Sequence, residues 1–248
     1  MFVVGVAPTA KAMNPTVIIS YIAVRDNPLL VSHLSHFVDS FIAHPPGFDH
    51  RLIVVCNGGN LPPKIKPMLA PIPHEFYIRP NDGGWDISGY MDIANHFPSD
   101  LQVCFGESVY FHRKDWLKRL VECYQQFGEG MYGFFSSFLA RPHLNTTAFA
   151  VSPKFLWGYP VPKTKGDRYN FEHGMASFWR MIAAAKGVTK LVTWDGCWEP
   201  QDWRKPADIL WRGTQGNCLV RCNHLDRYSA ATQRTREIWE YQADHIAV

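Results

Sequence analysis

The sequence predicts an α/β protein built on a mixed, mainly parallel sheet flanked by helices. Three observations carry that reading. The run Val17-Ile18-Ile19-Ser20-Tyr21-Ile22-Ala23-Val24 is almost continuously apolar and β-branched, the pattern of a strand buried on both faces of a parallel sheet. Residues 17 to 59 then read strand, helix, strand, a βαβ unit. Three successive strand-like runs end in polar or glycine-rich loops: Asn57-Gly58-Gly59, Asn81 to Tyr90, and Gly106-Glu107-Ser108. In an open α/β sheet, ligands bind beyond the carboxyl ends of strands, where the strand order reverses.

In chain order, the first helix follows Asn27, a good N-cap, with Pro28 at the first helical position. Leu30, Leu34, Phe37, Val38, Phe41 and Ile42 fall on one face of it, and Pro45-Pro46-Gly47 ends it. Arg51 to Cys56 is the second buried strand and Glu75 to Arg79 a short third. A helix near Ile87 to Phe97, a strand from Leu101 to Phe105 and a helix from about Lys114 to Phe127 complete the first half. Met131 to Ser137 and Thr146 to Ser152 read as strands, Pro153 to Tyr159 as a helical turn, and the Pro/Lys/Gly-rich 160–168 stretch as a mobile loop. A helix over Phe171 to Lys186 stops at Gly187, and Val188 to Thr193 is a further strand. A strand near Cys218 to Cys222 and a helix from about Ala231 to Tyr241 close the chain.

At 248 residues, 46% hydrophobic and 14% aromatic, the chain can bury a sizeable core. The domain expectation is an N-terminal extension over residues 1–14 and one domain over 15–248. Met1 to Ala7 lacks the basic flank and the apolar length of a signal peptide. No run approaches the roughly 18 apolar residues that span a bilayer. The formal charge of +3, from 25 basic and 22 acidic residues without a basic run, neither demands nor excludes nucleic acid. Six scattered cysteines in mostly apolar runs read as small hydrophobes in a reduced, cytoplasmic compartment.

The segment Asn81-Asp82-Gly83-Gly84-Trp85-Asp86-Ile87-Ser88-Gly89-Tyr90 concentrates two carboxylates and three glycines between a strand and a helix. Glycines let backbone N–H groups approach a ligand, and the helix offers its positive end. A turn with a helix cap has the same composition.

The order of these pieces resembles the GT-A-fold nucleotide-diphospho-sugar glycosyltransferases, a Rossmann-type arrangement, especially those of bacterial polysaccharide and rhamnan synthesis. The likeness runs over roughly residues 16 to 228 and rests on Tyr21 to Asn27, Cys56-Asn57-Gly58-Gly59, Asn81 to Asp86, Phe105-Gly106-Glu107-Ser108 and Phe171-Glu172-His173-Gly174. It implies a hexosyl- or pentosyltransferase that uses a nucleotide-diphosphate-sugar donor. The acceptor would be a hydroxyl of a glycan, a lipid-linked sugar or a modified nucleic-acid base. By position, Tyr21, Arg25 and Asn57 would hold the nucleotide base and ribose, and Asn81, Asp82, Gly83, Gly84 and Asp86 would lie beside the donor. Where such enzymes carry Asp-x-Asp for Mn²⁺ or Mg²⁺, this chain reads Gly106-Glu107-Ser108. The Glu107 carboxylate and the Ser108 hydroxyl would hold a metal that takes its other ligands from the diphosphate and water, with a late histidine, His224, completing the metal site or touching the diphosphate; a metal-free variant using Arg, Lys and backbone donors fits as well. Glu172, near a predicted helix start, is the leading catalytic base for the acceptor hydroxyl, with Asp86 second. The helix dipole alone would also favour a glutamate in a first turn.

Other residues have a plain reading beside a functional one. Alternation in a strand would put Cys218, Cys222 and His224 on one face, but two cysteines and one histidine are too few for structural zinc. Arg141 to Thr147 is a capped loop or the acceptor side. Trp194, Trp198, Trp203 and Trp211 fill core or stack on sugars, and Arg204, Lys205 and Arg212 are surface cations or diphosphate partners. A non-catalytic module that keeps the fold and binds a glycan or a partner is the competing function. A dinucleotide-dependent oxidoreductase is disfavoured because no G-x-G-x-x-G follows the first strand.

Overall fold

The computed structural model describes residues 14–80, 84–138 and 141–245. The first half runs β1 (Val17–Val24), α1 (Leu30–Ala43), β2 (Arg51–Asn57), α2 (Lys66–Leu69), β3 (Glu75–Arg79), α3 (Trp85–His96), β4 (Leu101–Phe105) and α4 (Trp116–Phe127). The second runs β5 (Gly130–Gly133), β6 (Ser136–Ser137), β7 (His143–Leu144), β8 (Ala148–Val151), α5 (Lys154–Trp157), α6 (Lys165–His173), α7 (Phe178–Ala184), β9 (Val188–Val192), β10 (Cys197–Trp198), α8 (Asn223–Ala230) and α9 (Gln233–His245).

Eight strands form one mixed sheet in the order β10-β9-β5-β8-β4-β1-β2-β3. The four strands from β3 to β4 are parallel, β5 and β9 pair in parallel, and β8 and β10 run antiparallel to their neighbours. This is the mixed, mainly parallel sheet the sequence predicts. The unbroken apolar run of β1 follows from burial on both sides. Val17, Ile19, Tyr21 and Ala23 enter the core shared with α1 and α4, while Ile18 and Ile22 enter the one shared with α3 and α7.

Several predicted elements are corrected. Asn27 does cap the chain entering α1, but through an Asx turn: its Oδ1 accepts the Leu29 N–H at 3.0 Å, and the helix starts at Leu30, beyond Pro28. The 160–168 stretch is not a loop throughout. A capping box of Thr164 and Asp167 starts α6 at Lys165. The expected helix over Phe171 to Lys186 is two helices, α6 and α7, separated at Gly174 to Ser177. Cys218 to Cys222 makes only two isolated bridges, Thr193 with Cys218 and Tyr110 with Arg221. His224 therefore lies in the first turn of α8 and not on a strand face. The six cysteines are not all thiols, since Cys123 of α4 and Cys197 of β10 are bonded to each other, while Cys56, Cys104, Cys218 and Cys222 are free and buried.

Candidate functional site

The strand order reverses at β1. The chain passes from β1 to β2 and β3 on one side, then crosses to β4 on the other, so the carboxyl ends of β1 and β4 open a crevice between diverging connections. Ile22, Val24, Asn57, Trp85, Asp86, Gly106, Glu107 and Arg168 line a cavity there, of about 250 Å³. An adjoining hollow adds Asn27, His33, Ser108, Thr147, Asn223 and His224.

Glu107 is the buried carboxylate of this crevice. Its Oε1 accepts the Val24 N–H at 2.9 Å, its Oε2 accepts from Asn27 Nδ2, and His33 Nδ1 stands 3.5 Å from Oε2. Burial pushes its pKa up, against the pull of those donors and His33. Both oxygens are thus committed to the end of β1, the loop after it and the start of α1. Among the described residues, the group of three His, Cys, Asp or Glu side chains with ligand atoms in mutual reach lies elsewhere. The Gly106-Glu107-Ser108 position therefore does not fit the paired-carboxylate metal site that the resemblance implies. Ser108 is engaged as well, its Oγ donating to Asn223 Oδ1 at 2.9 Å within the same hollow.

Tyr21 is not placed to meet a nucleotide. It is fully buried, stacks on Phe37 with ring centroids 4.0 Å apart, and donates its hydroxyl to the Glu107 carbonyl at 2.7 Å. Its position facing the α1 side of β1 is what removes it from the crevice. Arg25 is exposed and paired with Asp26 at 2.8 and 2.9 Å. Asn57 is buried in a supporting role: its Nδ2 donates to the Trp85 carbonyl at 3.2 Å, and its Oδ1 accepts from Arg79 Nη1 at 2.8 Å. Gly58 and Gly59 follow with φ of 96° and 104°, a turn that an L side chain enters only under strain.

Asn81, Asp82 and Gly83 lie outside the described residues. Gly84 is the N-cap of α3, and a Cβ there would come within 2.4 Å of Ser88 Oγ and 2.6 Å of the Pro162 carbonyl oxygen. Trp85 holds a φ of 50°, and Ser88, Asn57 and Arg79 all donate to its carbonyl. A non-glycine residue in that conformation is held by its surroundings. The result fixes Asp86 at the mouth of the crevice, where Arg168 of α6 donates Nε and Nη2 to its two oxygens, each at 3.1 Å. The Asp86 carboxylate holds the Arg168 pKa above its ordinary value.

Glu172 lies one residue from the end of α6 and not near a helix start, so the carbonyl end of the helix opposes its charge. Compensation comes from the opposite wall: Glu172 Oε1 accepts from Asn145 Nδ2 and from the Thr146 N–H, each at 2.9 Å. His143 Nε2 is 3.6 Å from Oε1 and His173 Nε2 is 3.6 Å from Oε2. Burial, with His173 nearby, pushes the His143 pKa down to about 3. His224 lines the cavity that His143, Asn145 and His173 share with Ser137, Leu210 and Trp211.

The structure therefore brings Asp86, Glu107, Ser108 and His224 to one crevice, with Glu172 adjoining through Arg168 and His173. Trp203 is fully buried and Trp211 nearly so, both as core. Arg212 pairs with Asp244, Lys205 pairs with Asp202 at 2.8 Å, and Arg204 lies over the Phe138 ring. Sequence reasoning missed Arg168 and the partnership of Asn27 with Glu107. A cation four residues before Glu172 was the available signal for the first.

No protein-family profile matches the chain, and no curated protein matches it. Solved structures do pair with it. A putative nucleotide-diphospho-sugar transferase from Desulfovibrio desulfuricans is 12% identical, with a TM-score of 0.48 over 71% of this chain and 79% of that one. A mannosyltransferase from Pyrobaculum calidifontis, solved with GDP-Man and Mn²⁺, is 12% identical, with a TM-score of 0.44 over 63% of this chain and 50% of that one. The galactosyltransferase LgtC, solved with donor and acceptor sugar analogues, is 11% identical, with a TM-score of 0.45 over 62% and 64%. The chain spans half of the mannosyltransferase and just under two thirds of LgtC. What it has in common with them is the α/β layout.

Proposed function

We propose that this chain transfers a sugar from a nucleotide-diphosphate-sugar donor to a hydroxyl acceptor. The observation that carries the reading is the position of the Asp86–Arg168 pair at the switch-point crevice, with the Glu172 carboxylate one helical turn along α6. Arg168 supplies a fixed cation for a departing diphosphate, and its bidentate hold on Asp86 keeps the guanidinium plane in place. Asp86 and the glycine loop before it position the donor. At Glu172 the acceptor hydroxyl gives up its proton as its oxygen attacks the anomeric carbon and the nucleoside diphosphate leaves. A glycan acceptor, and with it a role in polysaccharide synthesis, belongs to this proposal through the sequence resemblance; the one-domain organisation and the cytoplasmic setting carry over from the chain's length and cysteine usage, the latter against the Cys123–Cys197 bond.

The test is transfer and donor hydrolysis over a panel of nucleotide-diphosphate sugars, with wild type beside Glu172→Gln. Wild-type turnover that falls about 10²–10⁴-fold in the variant supports the reading. Glycan binding with no affinity for any nucleoside diphosphate would replace it with a non-catalytic binding module.

A further inference from the structure

His143, Glu172 and His173 meet in a way that hydrogen bonding alone does not account for. His143 on β7 is 2% exposed, and its Nδ1 lies 2.7 Å from the Arg141 carbonyl oxygen. A carbonyl only accepts, so Nδ1 carries the proton and Nε2 presents a bare lone pair. That nitrogen stands 3.6 Å from Glu172 Oε1, which already accepts from Asn145 Nδ2 and the Thr146 N–H. Two acceptors face each other with no donor between them, a repulsive arrangement that a cation at the midpoint reverses. His173 approaches from the other side. Its Nε2 is 3.6 Å from Glu172 Oε2, its ring lies edge-on to His143 with centroids 4.1 Å apart, and its Nδ1 is buried without a hydrogen-bond partner.

One ligand atom from each residue lies within 4.8 Å of the others. Ligands about 2.0–2.2 Å from a tetrahedral ion stand about 3.3–3.6 Å apart, so the 3.6 Å from each imidazole to its nearer carboxylate oxygen is close to that spacing, and the remaining pairs close from within 4.8 Å. The supports are those a metal site needs: the Arg141 carbonyl fixes the His143 tautomer, and Asn145 and Thr146 orient the carboxylate.

We propose that His143, Glu172 and His173 bind a divalent transition-metal ion of the zinc type, with its open position facing the cavity lined by Ser137, Trp211 and His224. Two imidazoles and one carboxylate select zinc or a neighbouring late first-row ion over Mg²⁺ or Ca²⁺, which take oxygen ligands. The site is distinct from the Gly106-Glu107-Ser108 position. Its exchangeable ligand is an oxygen of water or of a hydroxyl compound. Resting on the transferase reading, that hydroxyl is the acceptor's: the ion eases loss of its proton, and the Glu172 oxygen that does not hold the ion takes it.

The test uses the full-length, untagged chain stripped with a chelator. Calorimetric titration with Zn²⁺ should give one ion per chain and Mg²⁺ should give none, while Co²⁺ should add visible absorption bands. Glu172→Gln and His173→Ala should each weaken Zn²⁺ binding about tenfold or more. His143 is buried and its replacement endangers folding, whereas His173 is partly exposed, which keeps the test informative. Absence of stoichiometric binding overturns the site, and so does Zn²⁺ affinity unchanged in both variants, because the ion then sits elsewhere among the eleven histidines. Metal binding without sugar transfer upholds the site and removes the transferase reading; transfer without metal binding does the reverse.

Discussion

At Glu107 one carboxylate stands where the resemblance implies two, and its surroundings turn it into a structural group. Burial raises its pKa, so the folded chain holds that proton more tightly than the unfolded chain does. Its contribution to stability is thus fullest below the unfolded value, near pH 4.5, and is lost as pH rises through the folded value. Glutamine has no such dependence. The stability of Glu107→Gln relative to wild type should therefore improve between pH 4 and pH 7, as read by urea denaturation at both; a difference independent of pH would remove the burial effect. Arg168 separates function from stability in another way. The pair it makes with Asp86 has one partner 42% exposed, so Arg168→Ala should cost no more than about 1 kcal/mol by denaturation. The same change should weaken nucleoside-diphosphate binding about tenfold by titration, as expected for a lost charge-assisted contact. Tyr21 marks where residue-level reading ran out. A tyrosine near the end of the first strand belongs to either face, and only the register with α1 decides that it points into the core.

At the scale of elements, the strands were the most legible part. β1 to β4 are short, apolar and closed by polar loops, and each lies within a residue or so of its expected bounds. The helices of the second half were not. Phe171 and Phe178 are seven residues apart, two helical turns, so the apolar period runs straight across the break between α6 and α7. The two rings stack with centroids 4.6 Å apart, contact between two helices that one continuous helix would imitate in sequence. The start of α6 was hidden because its box pairs Thr164 with an aspartate rather than a glutamate or glutamine. Thr164→Ala should cost about 1 kcal/mol in denaturation, and its effect on turnover should exceed that of a surface change, since α6 carries Arg168, Glu172 and His173. Cys218 to Cys222 failed as a strand because its backbone finds single-residue partners in two different segments, a tertiary arrangement that local alternation does not encode.

At the scale of the whole molecule, the Cys123–Cys197 bond joins α4 to the β10 edge of the sheet across 74 residues. Closing a loop of that length lowers the entropy of the unfolded chain, so reduction should cost up to about 4 kcal/mol, seen as a lower urea midpoint with dithiothreitol. Stability unchanged on reduction, or six titratable thiols in the chain taken directly from cells, would restore the reduced state expected from the sequence. The order of the sheet was legible as far as the βαβ unit and the strand-end loops. The insertion of antiparallel β8 between β4 and β5 was not, because pairing across a sheet is set by packing partners distant in the chain. One consequence joins the scales. Arg168 and Glu172 are separated by a single turn of one helix, a rise of about 6 Å. Under the proposed transfer, that pitch would act as a ruler between a leaving anion and an incoming oxygen, so exchanging side chains would retune its ends while only inserting or deleting a residue between them would change its length.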